Sequence, residues 1–347
     1  MNNIKTVAYK GSKRKLLQKI EEYTMEVNPK TFFDAFSGTG IVSAHMRNAG
    51  LEVTANDLSN SSYLYGRVFL EGFDEDIVRA HVEKMNSLSR KPGWLYENYS
   101  GTRVRKVRGQ DGLHERPMML TEDNAAMLDA ARDYVDSLTI SERNKNALVF
   151  STILALNKVS NNTNDQKSSL KKWAERSLKS VTFECPTLIS GPVGKQISGD
   201  VFTIKPSADV VYFDPPYTHG VLYPACYHLN DSMATWTKPE LNQGYSLPRP
   251  QSICFRENKE NLGGFYSHKE APDAFHKIFS NTTAKRIITS YSYAPRNCID
   301  IKTLYDIAKG YGKVSVQSME HRICHQPKEL NKISKTLKEF FIIIDND

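Results

Sequence analysis

No stretch of this 347-residue sequence carries the ~20 consecutive apolar residues that a membrane-spanning helix needs. The opening MNNIKTVAYKGSKRK also lacks the apolar core of a secretory signal, so neither membrane residence nor export is expected. Cysteine is scarce: Cys185, Cys226, Cys254, Cys298 and Cys324 are odd in number, widely scattered and form no CxxC pair. That argues against a disulfide framework and a structural zinc site, and for a reducing compartment. Cys324-His325 is a lone adjacent pair, expected to be incidental rather than catalytic. Internal repeats are absent as well. What remains is 39% hydrophobic and 24% charged residues, the make-up of a globular protein long enough for one large domain or two ordinary ones. A net charge of +7 suits a polyanion partner without requiring one.

The first sixty residues alternate in α/β fashion. KRKLLQKIEEY puts Leu16, Leu17, Ile20 and Tyr23 on one helical face. TFFDAF reads as a short strand broken by SGTG. IVSAHMRNAG predicts a helix ending near Gly50, and LEVTAND a second strand closing on Asp57. Strand–helix–strand order predicts a parallel sheet. From about residue 62 to 178 the strand pattern fades. TEDNAAMLDAARDYVDSL, with Thr121 as N-cap, and SERNKNALVFSTILAL predict helices; YENYSGTRVRKVRGQDG reads as polar and irregular. Strand character resumes in KSVTFECP, KQISGDVFTI and DVVYFDPPY. The run from Tyr217 to about Pro272 predicts a long segment without regular structure, a length that usually marks a binding element. KRIITSYSY, GKVSVQSM and EFFIIID predict three further strands.

In DVVYFDPPYTHG (residues 209–220) a buried strand ends on Asp214, Pro215, Pro216 and Tyr217. The two prolines remove N–H donors and fix φ, so the chain leaves the sheet rigidly. An acid and an aromatic ring are thereby held at the carboxyl end of a strand, where open α/β sheets bind ligands. In FFDAFSGTG, Asp34 precedes Phe36, Ser37, Gly38, Thr39 and Gly40, and the glycines allow a tight turn with close backbone approach. The pattern lacks the lysine of a phosphate-binding loop; an ordinary βα turn is the plain alternative. Asp57, at the next strand end and followed by Leu58, stands where a ribose hydroxyl pair would be held, or else caps a helix. Asp200 ends a further strand in QISGDVF. Four acids at four strand ends are harder to dismiss than any one.

AYKGSKRKL, DAFSGTG, NDLS, SGDVF and DPPY occur in the order found in alpha-class DNA adenine-N6 methyltransferases, and the sequence resembles that family over nearly its whole length. LTEDNAAMLDAARDYVDSL, NKVSNNTNDQKSSLKKW and YHLNDSMATWTKP resemble segments of one branch. The resemblance implies a Rossmann-like, mostly parallel sheet with one antiparallel strand near the C-terminus. It also implies an inserted, mainly helical target-recognition domain. The expected organisation is a cofactor-binding part at 1–61, the insertion at 62–180, and a second catalytic part at 181–347 with a DNA-contacting segment at about 218–272.

The same resemblance implies S-adenosylmethionine as cofactor, with no metal. Tyr9, Lys13, Asp34, the turn of residues 36–40, Asp57, Leu58, Asp200, Val201 and Asp214 would contact it. Asp214, Pro215, Pro216 and Tyr217 would act on an adenine swung out of double-stranded DNA. Basic residues of TRVRKVRGQ (Arg103, Arg105, Lys106 and Arg108), together with Arg249 and Arg256, would contact DNA; ordinary solvated loops are the alternative there. A separately encoded restriction endonuclease is an expected partner, and the cytoplasm of a bacterium, or of a phage-infected one, the expected place. Cytosine-N4 or RNA adenine methylation, or an inactive DNA-binding descendant, remain the other readings.

Overall fold

The computed structural model describes residues 4–106, 111–216, 223–243, 247–250, 264–292, 297–322 and 336–346. The chain divides into two compact units. One comprises Lys13–Leu58, Ser190–Val221 and Glu257–Asp347; the other comprises Met1–Ser12, Ser59–Ile189 and Leu222–Arg256.

The first unit is built on a seven-stranded sheet. Its strands are β1 (Thr31–Asp34), β2 (Glu52–Asn56), β3 (Lys195–Ile197), β4 (Val210–Phe213), β5 (Arg286–Ser292), β6 (Lys313–Arg322) and β7 (Thr336–Asp345). They lie side by side in the order β6-β7-β5-β4-β1-β2-β3. Neighbours from β5 to β3 are parallel, and β7 alone runs against both β5 and β6. This is the expected α/β sheet with one antiparallel strand near the C-terminus. β4 is buried along its whole length, as its unbroken apolar run requires of a strand covered on both faces. One core gathers Phe33, Val211, Phe213, Phe275, Ile287 and Ile342 against the helices Ala271–Ser280 and Ile301–Ala308. The sheet order reverses between β1 and β4, so the carboxyl ends of those strands flank the crevice where such sheets bind ligands.

The second unit is mainly helical: Asn60–Glu71, Glu75–Asn86, Trp94–Tyr99, Glu122–Ser137, Glu142–Val159 and Tyr223–Thr235. Ser59, Asp74, Thr121 and Ser141 each accept a hydrogen bond from the backbone N–H three residues on, so these starts were written locally. It also contains an antiparallel hairpin, Thr102–Lys106 with Leu113–Pro117, where an irregular segment was expected. Basic side chains on both strands mask the alternation that would reveal it.

Two further expectations fail for identifiable reasons. KSVTFECP is not a strand: Val181 N–H and Phe183 N–H donate to the side-chain oxygens of Asn124 and Asn86, which replace a sheet partner. YPACYHLNDSMAT, expected to be without regular structure, is a helix. Its proline lies in the first turn, where the missing N–H costs nothing. That helix breaks at Tyr227 (φ −131°, ψ 18°), where the Gln166 side-chain oxygen accepts the N–H groups of Leu229 and Asn230. A side chain inserted into the ladder is a recognised cause of a kink.

Candidate active site

Asp214 follows β4 directly, with Pro215 buried behind it and Pro216 half-buried. Its Oδ1 lies 2.7 Å from the Lys13 ammonium, on the short 3-10 helix Lys13–Lys15. Ser290 Oγ, on β5, donates to the same oxygen at 3.3 Å, and Ser290 is itself linked to the Tyr212 hydroxyl at 2.8 Å. Burial pushes the Asp214 carboxyl up to about 6. Lys13 opposes that shift, and the Glu339 carboxylate adds to it. Tyr217, assigned to base stacking from sequence, lies outside the described residues.

The glycine turn sits at the adjoining strand end. Gly38 and Gly40 have φ of 51° and 72°, conformations that glycine enters without strain. Gly40 N–H closes the turn on Ser37 O at 2.7 Å, and Ser37 N–H donates to Asn56 O at 2.9 Å. Asp57 Oδ2 accepts the Gly38 N–H at 2.8 Å, so the acid after β2 holds the turn after β1 in position. Phe36 stands edge-on to Phe265, ring centroids 5.6 Å apart. Leu58 is 61% exposed. Asp200 is exposed and spends Oδ1 on the N–H of Phe202, while Val201 is buried in the core.

Asp34 is almost wholly buried and takes a 2.6 Å hydrogen bond from Ser43 Oγ. Burial, reinforced by the charges of Asp214 and Asp57, pushes its carboxyl up to about 7. Among the described residues, Asp34 Oδ1 and Ser37 Oγ are buried without a hydrogen-bond partner. The folded protein therefore holds a proton on Asp34 more tightly than the unfolded chain does. The associated penalty is absent below the ordinary carboxylate pKa and grows as pH rises to about 7. Asp34→Asn is expected to raise stability by roughly 1–3 kcal/mol at pH 8 and to change little at pH 4. Urea unfolding at the two pH values tests this; an equal change at both would assign the effect to packing.

The remaining sequence-assigned residues belong to the helical unit. Tyr9 stacks on Tyr227 with centroids 4.2 Å apart and planes 13° off parallel, and on Tyr223 at 5.5 Å. Lys10, beside it, pairs with Asp165 at 2.6 Å. Arg103 and Arg105 lie on the hairpin strand, opposite Arg116 and His114. The Arg103 guanidinium donates to Glu97 O at 2.6 Å, and Arg249 to Lys167 O at 3.1 Å. Lys106 ends the same strand, whereas Arg108 and Arg256 lie outside the described residues.

Residues 9–248 match the family of D12 class N6 adenine-specific DNA methyltransferases. The chain belongs to that family. This methyltransferase is 23% identical to the Type II methyltransferase M.NlaIII of Neisseria lactamica, with 96% of each chain covered. It is 25% identical to the Type II methyltransferase M.CviAII of Paramecium bursaria Chlorella virus 1, covering 98% of this chain and 99% of that one. To M.FokI of Planomicrobium okeanokoites it is 27% identical, over 81% of this chain and 44% of that one.

In this methyltransferase the sequence reading passed over Glu339 and Ser290. Glu339 heads EFFIIID, and an acid opening a strand with Phe341 and Ile343 on the same buried face was the available signal. Ser290 carried none, since its role depends on β5 lying next to β4.

Proposed function

We propose that the protein transfers a methyl group from S-adenosylmethionine to N6 of an adenine swung out of double-stranded DNA, directly and without a covalent enzyme intermediate. The observation that carries this reading is the ion pair between the buried Lys13 and the half-buried Asp214 at the end of β4, beside the Asp57-anchored glycine turn. A net-acidic strand edge suits a cationic nucleoside, and the buried Asp34 and Ser37 oxygens offer acceptors there. When bound, the cofactor would supply an electrophilic methyl carried on a sulfonium.

An adenine amino group is a poor nucleophile because its lone pair is delocalised into the ring. The Asp214 carboxylate and the Pro215 carbonyl would accept its two N–H bonds. That would localise the lone pair and stabilise the positive charge developing on nitrogen as the new C–N bond forms at the expense of the methyl–sulfur bond. The surplus amino proton would then pass to solvent. The prolines and the Lys13 contact hold these acceptors before substrate arrives, which is the preorganisation that electrostatic catalysis needs. Tyr217 would stack on the extruded base, returning ~1–3 kcal/mol of the few kcal/mol that flipping costs. Arg103, Arg105 and Lys106, on the hairpin, and Arg249 would meet DNA phosphates or guanine edges. A separately encoded endonuclease and a bacterial or phage-infected cytoplasm complete the reading.

Mass spectrometry of nucleosides from DNA exposed to protein and cofactor is the test. N6-methyladenine supports the reading; N4-methylcytosine, or no product, would overturn it. Asp57→Ala is expected to weaken cofactor binding more than DNA binding, because it removes the acceptor that fixes Gly38. Titration calorimetry with an unchanged cofactor affinity would reduce Asp57 to a structural cap.

A further inference from the structure

We propose that Glu339 is a positioning residue that makes the strand-end site selective for a cationic ligand over a neutral one. Glu339 lies on β7 opposite Ser292 of β5. Strand alternation puts it on the face that carries Phe341, which packs edge-on to Tyr23. Its side chain is 2% exposed, and Oε1 lies 3.4 Å from the Lys13 ammonium. Lys13, itself 5% exposed, reaches Asp214 at 2.7 Å. One buried ammonium is therefore shared by two carboxylates.

The charge count follows from those contacts. Lys13 with Asp214 alone would be a neutral pair; Glu339 leaves the trio with one negative charge. Asp34 of β1 and Tyr212 of β4 lie within its field, Ser290 of β5 donates to Asp214, and Asp57, after β2, acts on Asp34. Asp34 and Asp57 are acidic, and Tyr212 and Ser290 are neutral hydroxyls. A charge buried away from solvent, as on Lys13 and Glu339, is screened far less than one at the surface. Burying a carboxylate in a strand of phenylalanines and isoleucines costs stability, so packing alone does not explain an acid there. What Glu339 supplies is attraction for a cation and, through its field on Asp214, a higher proton affinity of that carboxyl.

This inference rests on the S-adenosylmethionine reading. The cofactor carries a sulfonium charge, whereas its demethylated product, S-adenosylhomocysteine, is a neutral thioether of nearly the same shape. The structure thus assigns Glu339 to discrimination between substrate and product, favouring exchange of spent cofactor for fresh.

The experiment is calorimetric titration of both ligands against wild type, Glu339→Gln and Glu339→Asp. Glu339→Gln should lower affinity for S-adenosylmethionine about tenfold relative to S-adenosylhomocysteine. It should also move the acid limb of cofactor binding to lower pH, since the carboxylate that raises the Asp214 pKa is gone. Glu339→Asp keeps the charge and should preserve the affinity ratio even if both affinities fall. Equal losses for both ligands in Glu339→Gln, an unmoved acid limb, or loss of the ratio in Glu339→Asp would each overturn the proposal. A Glu339→Gln chain that does not fold leaves the Glu339→Asp ratio to decide. Wild type binding neither ligand would instead overturn the cofactor reading.

Discussion

Asp214→Ala is expected to reduce methyl transfer by about 10²–10³-fold, or roughly 3–4 kcal/mol of transition-state stabilisation, while the protein stays folded. The side chain extends from the end of β4 and contributes to none of the strand pairing. Glu339 also lies 3.4 Å from the Lys13 ammonium, so the change should not strand a buried cation. The loss should fall on kcat, because the carboxylate is needed as charge develops on the amino nitrogen rather than for docking DNA. Asp214→Asn keeps an acceptor but no charge and should lie between the two. Single-turnover rates, with circular dichroism as the control for folding, are the measurement. Retention of more than a few per cent of the wild-type rate in Asp214→Ala would remove Asp214 from the proposed role.

Lys13→Met should be costly for stability as well as for activity. It leaves Asp214 and Glu339 close together in a buried site without the ammonium they share. Removing one partner from a buried ionic group typically costs about 3–5 kcal/mol. The pH dependence has a definite sign. Lys13 lowers the Asp214 pKa, so its loss should drive that carboxyl above its present value of about 6. An acid whose folded pKa is raised is unpenalised below the ordinary carboxylate pKa, and loses stability as pH climbs towards the folded value. The variant should therefore be most destabilised at pH 8 and partly recovered at pH 5, and the acid limb of its residual activity should move to higher pH. Urea unfolding at both pH values decides the matter; the same loss at each would mean that Lys13 acts through packing of its methylenes.

How much could be read in advance differs between the two units. In the sheet unit, β1, β4, β5 and β7 announce themselves through short apolar runs bounded by breakers, and β2 and β6 through alternation of apolar and polar residues. In the helical unit, Thr121 and Ser141 mark helix starts by local capping. The hairpin at residues 102–117 and the helix Tyr223–Thr235 were missed. The cues for the first are drowned by basic side chains, and those for the second by a proline that the first helical turn tolerates.

The sequence by itself determined the family, the order of its motifs and the strand ends at which Asp34, Asp57 and Asp214 stand, because strand runs, glycine turns and proline pairs are local signals. Only the tertiary structure decided that Asp214 shares a cation with Glu339 and that Asp34 is buried without one among the described residues. Lys13, Asp214, Ser290 and Glu339 span more than three hundred positions; Ser290 reaches Asp214 because β5 pairs with β4, and Glu339 joins them because β7 pairs antiparallel with β5. Charge state depends on distance and burial, and neither is written in any one segment. Asp34 and Asp57 look alike in the sequence. The fold hides one beneath Ser43 and sets the other against a backbone amide, and that difference in surroundings, rather than in residue type, separates their chemistry.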